Sequence, residues 1–101
     1  MRSTSRFALN NAAKLTVYSR TYCHLCADMI AGLRALQARR PFELEIIDVD
    51  SDPVLEARYG ELVPVLTGMD IELCHYHLDA AKVDKYLNSL RTSGVSPRRA
   101  E

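Results

Sequence analysis

Two cysteines with two residues between them, Cys23-His24-Leu25-Cys26, are the part of this 101-residue chain best suited to chemistry. A thiolate is both a nucleophile and a soft metal ligand, so a CxxC pair supports either thiol–disulfide exchange or metal binding. One further cysteine, Cys74, lies in Cys74-His75-Tyr76-His77. An odd cysteine count without a secretory signal argues against a framework of structural disulfides and for a reducing, cytoplasmic setting.

The position of the pair matters more than its spacing. Lys14–Ser19 (KLTVYS) reads as a strand, followed by a short connector, Arg20-Thr21-Tyr22. From His24 to Arg39, apolar residues recur at Cys26, Met29, Ile30, Leu33 and Leu36, the three- and four-residue spacing of one helix face. Pro41 stops that helix, and Arg39 and Arg40 suit its C-terminal dipole. Cys23 therefore sits where a strand turns into a helix. Unpaired N–H groups and the positive end of the helix dipole favour a thiolate there. Cys26, one turn on and on the same side, can resolve a mixed disulfide formed on Cys23. Cys23 is expected to be the more exposed sulfur.

Neighbouring residues suggest how the pair is tuned. His24, if charged and facing the thiolate, stabilises the reduced form; pointing to water, it is a plain surface residue. Arg20 either supports the thiolate or binds the anionic end of a substrate, or it is a solvated arginine. Tyr22 either shields the site and offers a stacking face, or packs on the sheet.

The rest of the chain supplies a frame. Residues 42–49 (FELEIIDV) read as a strand, well buried in its second half. Asp52-Pro53 starts a short helix to about Tyr59. Residues 63–67 and 71–74 form a hairpin across Gly68-Met69-Asp70. Asp79 caps a last helix with Ala80, Val83, Tyr86, Leu87 and Leu90 on one face. The expected fold is α/β: a four-stranded mixed sheet flanked by three helices, its first β-α-β unit parallel and right-handed. The domain spans residues 13–90, between a flexible segment at 1–12 and a flexible polar tail at 91–101.

Here the sequence resembles the dithiol glutaredoxins of the thioredoxin superfamily. The resemblance spans roughly residues 14–90 and rests on the strand, Arg20-Thr21-Tyr22-Cys23-His24-Leu25-Cys26, the helix, and Val63-Pro64. It implies a thioredoxin-like fold and a cis Val63-Pro64 bond opposite the CxxC, where Val63 presents its backbone to a substrate. It also implies glutathione as a co-substrate, with no tightly bound cofactor. Two places depart from the family pattern. Leu62 replaces the usual Thr, and Cys74-His75-Tyr76-His77-Leu78-Asp79 stands where glutaredoxins carry Gly-Gly and an acid. The pattern is closest to a compact, bacterial-type glutaredoxin-like branch.

Rival readings use the same residues. CxxC with Cys74, His75 and His77 offers ligands for zinc, or two chains share an iron–sulfur cluster. A non-catalytic module with CxxC as a redox sensor is a third reading. Cys74 reads as a small core residue, His75 and His77 as strand-end or surface residues, and Asp48, Asp50 and Asp52 as a strand end and a helix cap. No metal is assigned.

Composition is 48% hydrophobic and 26% charged, ordinary for a globular domain. Thirteen basic and thirteen acidic residues give zero formal net charge, no footprint for nucleic acid and no pull toward a membrane surface. Met1 to Asn11 lacks an apolar signal core, though Arg2, Arg6 and the absence of acids before Asp28 also suit an organellar transit segment. The reading taken is a monomeric thiol–disulfide oxidoreductase. Cys23 and Cys26 are catalytic; Arg20, Tyr22, His24, Val63 and Pro64 bind substrate. The partners are disulfides of proteins or small molecules.

Overall fold

The computed structural model describes residues 13–95, and for 91–95 the backbone only. The expected N-terminal segment 1–12 and residues 96–101 of the expected tail lie outside the described residues.

Strand β1 (Lys14–Ser19) alternates: Leu15, Val17 and Ser19 are buried, while Thr16 and Tyr18 face the other way. Helix α1 (His24–Arg39) answers that face with Cys26, Met29, Leu33 and Leu36. Strand β2 (Glu43–Asp48) runs parallel to β1, with Val17 beside Ile46. A 3-10 turn at Val49–Ser51 leads into α2 (Pro53–Tyr59), capped by the Asp52 carboxylate, which accepts from the Val54 N–H at 2.8 Å. Strands β3 (Val65–Gly68) and β4 (Ile71–His75) form the hairpin, and α3 (Ala80–Val95) closes the chain. Sheet order is β2-β1-β3-β4, with β3 antiparallel to both neighbours. The mixed four-stranded sheet with three helices is the architecture expected.

All four residues of β3 are buried because it is a central strand. The two sheet faces carry separate apolar clusters. Leu15, Val17, Met29, Leu33, Leu66 and Val83 anchor the one beneath α1 and α3. Val49, Tyr59 and Val65 form the smaller one beneath α2, with Tyr18 stacked on Tyr59 at 4.3 Å. At Gly68 the Tyr86 ring lies so close that a Cβ would stand 2.5 Å from it, so a larger residue there would have to displace the ring.

Three boundaries differ from expectation. The strand over residues 42–49, expected to be well buried in its second half, is a sheet edge: in that half Ile46 is 42% exposed and only Val49 is buried. Strand β3 begins at Val65 rather than Val63, because buried Pro64 lacks the N–H that pairing requires. Helix α3 continues past Leu90 to Val95 despite Thr92, Ser93 and Gly94. Extending an existing helix costs far less than starting one, so weak formers are carried along. Among the described residues no helix is long and apolar enough to cross a membrane.

Candidate functional site

The chain leaves β1 at Ser19 and turns through Arg20, Thr21 and Tyr22. Tyr22 takes a left-handed conformation (φ 60°) with its ring fully exposed, so it does not pack on the sheet. Cys23 follows as the N-cap of α1. Its sulfur accepts the Cys26 backbone N–H at 3.1 Å, and its carbonyl accepts the Ala27 N–H at 3.0 Å. The sulfur thus occupies the place of a capping side-chain oxygen, aimed into the unpaired amides of the first turn. No acidic residue stands in that turn to offset the helix dipole.

Cys23 and Cys26 are joined as a disulfide, with Cα atoms 5.2 Å apart. Cys23 is half-buried; Cys26 is 2% exposed against the apolar face of α1. The more exposed cysteine is the one at the start of the helix, as its place at the strand-to-helix turn predicts. A sulfur pair that can bond in this position is a thiol redox site. It opens into a shallow depression of about 460 Å³, also lined by Arg20, Tyr22, His24 and Ile30.

Arg20 is committed elsewhere. Its Nε and Nη2 donate to Asp50 at 3.1–3.3 Å, Nη2 also reaches Glu56 at 3.1 Å, and Nη1 donates to the Gly60 carbonyl at 3.2 Å. The anionic partners of this guanidinium are the chain's own carboxylates. Asp50, read from sequence as part of a strand end or cap, is instead an ion-pair partner, while Asp48 and Asp52 do cap. Glycine suits position 60, since a Cβ there would stand 2.5 Å from the Glu56 backbone carbonyl and would also press on the Glu56 and Arg20 side chains of this ion pair.

The Val63-Pro64 peptide bond is cis, as the family resemblance implies. Tyr18 pairs with Val65 and Val65 with His75. Pro64 therefore stands between the end of β1, where the chain departs for Cys23, and Tyr76 at the end of β4. Tyr76 adopts a left-handed backbone (φ 64°) and bridges to the Val63-Pro64 loop twice. Its N–H donates to the Pro64 carbonyl at 2.9 Å, and its hydroxyl donates to the Glu61 carbonyl at 3.0 Å. Sequence reasoning left Tyr76 unassigned; the only signal was its occupying the position of the missing glycines.

Cys74 lies partly buried against the larger cluster, and burial raises its thiol pKa above the ordinary value. His75 pairs with Glu72 at 2.7 Å, and Asp79 caps α3 by accepting the Lys82 N–H at 3.1 Å. The zinc reading needed Cys74, His75 and His77 to join the CxxC. Among the described residues no three His, Cys, Asp or Glu side chains come together to hold a metal ion.

Comparison with known proteins agrees with this geometry. The family profile described as Glutaredoxin-like domain (DUF836) matches residues 14–88. None of the curated proteins compared with the chain matches it. The solution structure of protein Ne2328 from Nitrosomonas europaea is 48% identical, with a TM-score of 0.69, covering 74% of this chain and 91% of that one. The crystal structure of protein XcR50 from X. campestris is 36% identical with a TM-score of 0.57, covering 74% and 96%. Thioredoxin 1 from Thermosipho africanus, 17% identical with a TM-score of 0.54 over 77% and 98%, shares the fold. With a CxxC at the head of α1, a cis Val63-Pro64 bond ahead of β3 and a family match over most of its length, the chain belongs to the glutaredoxin-like domain family of the thioredoxin fold.

Proposed function

We propose that the protein is a thiol–disulfide oxidoreductase working by dithiol exchange. One observation carries this reading: a Cys23–Cys26 disulfide whose accessible sulfur caps a helix while its partner is buried. In the reduced protein, the Cys23 thiolate attacks one sulfur of a substrate disulfide. A bond forms from Cys23 Sγ to that sulfur, and the substrate S–S bond breaks. The departing thiolate takes a proton from water. Cys26, losing its proton, then attacks Cys23 Sγ, restores the Cys23–Cys26 bond and releases the second substrate thiol. Two electrons pass from the cysteine pair to the substrate, and an external thiol reductant returns them.

The amides of α1 hold the Cys23 thiolate between steps. Val63 and Pro64 form the platform on which the substrate backbone lies. Tyr22 and His24, both exposed at the rim of the depression, meet its side chains. Partners are disulfides of proteins or small molecules, glutathione included among the candidate thiols, and the place of action is a reducing cytoplasm, where free Cys74 persists. Both reacting sulfurs come from one chain, so a monomer suffices.

The test is to oxidise the protein, titrate the Cys23–Cys26 couple against dithiothreitol, and repeat with Cys23→Ser and Cys26→Ser. A reversible two-electron couple is expected. Cys23→Ser should abolish exchange, and Cys26→Ser should trap substrate as a mixed disulfide. A pair that neither closes nor reopens across the titration removes the exchange reading.

A further inference from the structure

The surroundings of Cys23 say which disulfides it accepts. Glutathione is a short anionic peptide with a carboxylate at each end. Seating it against a cysteine calls for unspent N–H donors or cations nearby. Three groups beyond the first turn of α1 that could act in this way are already occupied. The Arg20 guanidinium is shared between Asp50 and Glu56. The Tyr76 N–H donates to Pro64, and the His77 N–H donates to the His75 carbonyl at 2.7 Å. Charge points the same way. Between residues 48 and 61 stand Asp48, Asp50, Asp52, Glu56 and Glu61, against Arg58 alone. These five acids are exposed, and Arg20 offsets only part of their field.

Shape adds to charge. The end of β1, Pro64 and Tyr76 lie on three adjacent strands, so Tyr76 stands two strand spacings, roughly 10 Å, from the end of β1. A partner laid from Cys23 across Val63-Pro64 runs toward the Tyr76 ring, which is 40% exposed and tied over the loop by its bond to Glu61. An extended polypeptide spans that distance and has an apolar or stacking surface to offer the ring. A tripeptide whose affinity rests on its carboxylates meets the ring and the acids instead.

We infer that this site selects a protein disulfide in a neutral or basic segment over glutathione, and that Tyr76 is a specificity-determining residue. The inference rests on the exchange reading above and narrows its substrate class.

The experiment compares four reductants of the oxidised protein: dithiothreitol, glutathione, and two dithiol peptides differing only in lysine or glutamate flanks. The wild type should react with the lysine-flanked peptide at least fivefold faster than with the glutamate-flanked one. Added salt should shrink that ratio, because the field is screened. Tyr76→Gly, whose backbone suits the left-handed conformation, should raise the rate with glutathione relative to dithiothreitol at least fivefold. Tyr76→Phe, which keeps the ring, should stay within twofold of wild type for glutathione. Equal rates for the two peptides, or a Tyr76→Gly protein no faster with glutathione relative to dithiothreitol while dithiothreitol still reacts, overturn the inference alone. If dithiothreitol cannot reduce the wild-type pair, the exchange reading itself fails and this inference with it.

Discussion

The two faces of the sheet are held by different means. Beneath α1 and α3 lies a cluster of buried apolar side chains that includes Leu15, Val17, Leu33, Leu66 and Val83, all 0% exposed. Beneath α2 the cluster is reduced to Val49, Tyr59 and Val65 with a fringe of half-buried neighbours. There the loop at Gly60 is fastened to the CxxC turn by Arg20 through directed polar contacts. Apolar burial is strong but non-directional, so it sets stability without setting the position of any one atom. Hydrogen bonds and ion pairs at the surface contribute little net energy but do fix geometry. The larger face makes the fold; the smaller one aligns the site.

Three substitutions or conditions test that division. The largest effect is expected from Leu33→Ala in the larger cluster, which should lower unfolding stability by about 2–5 kcal/mol, the range for fully buried leucines. Urea unfolding of the oxidised protein measures it. The exchange rate with dithiothreitol should stay within about twofold, and a large rate loss at preserved folding would break the comparison. Next comes Arg20→Met, which removes the ties to Asp50, Glu56 and Gly60. Its urea midpoint should move far less than that of Leu33→Ala, while exchange slows by roughly three- to tenfold, since misplaced reacting groups lose rate steeply. A stability loss rivalling that of Leu33→Ala would show that the polar clamp holds the fold as well.

The smallest effect is expected from alkali. Burial raises the pKa of the Cys74 thiol and of the Tyr18 and Tyr86 phenols. Each group therefore binds its proton more tightly in the folded than in the unfolded chain. Its contribution is complete below the unfolded pKa and is lost as pH climbs through the folded one. The window opens near 9, the ordinary thiol value, and continues above 10 for the phenols. The urea midpoint of the oxidised protein should be flat around neutrality and fall above that window. Cys74→Ala should delay the onset. A midpoint that rises with pH there would contradict the sign.

Much of the frame was legible residue by residue. Alternation in Lys14–Ser19, the three-four spacing of Cys26, Met29, Leu33 and Leu36, and the Asp52-Pro53 start are local signals, and each element formed where its signal lay. The misreadings have a common origin. The second half of residues 42–49 looks buried from composition, but the edge position of β2, which leaves Ile46 exposed, is a property of the sheet. Helix α3 passes Leu90 because propagation is favourable once the packed part exists.

For the site, the CxxC spacing determined that Cys23 and Cys26 can bond, and its place at the start of a helix that Cys23 is the exposed member. A CxxC at a helix start leaves few alternatives, because one helical turn brings both sulfurs to the same side. What only the tertiary structure decided is what surrounds them. Arg20 meets Asp50 and Glu56, thirty and thirty-six residues away, and Tyr76 meets Glu61 across two strands' worth of chain. No local pattern encodes such partners, since they depend on which strands neighbour one another and in what register. An arginine that reads as an anion-binding group in sequence is, once folded, bonded to acids of its own chain, and Tyr76, with no role legible in sequence, is tied to the loop that carries Val63-Pro64.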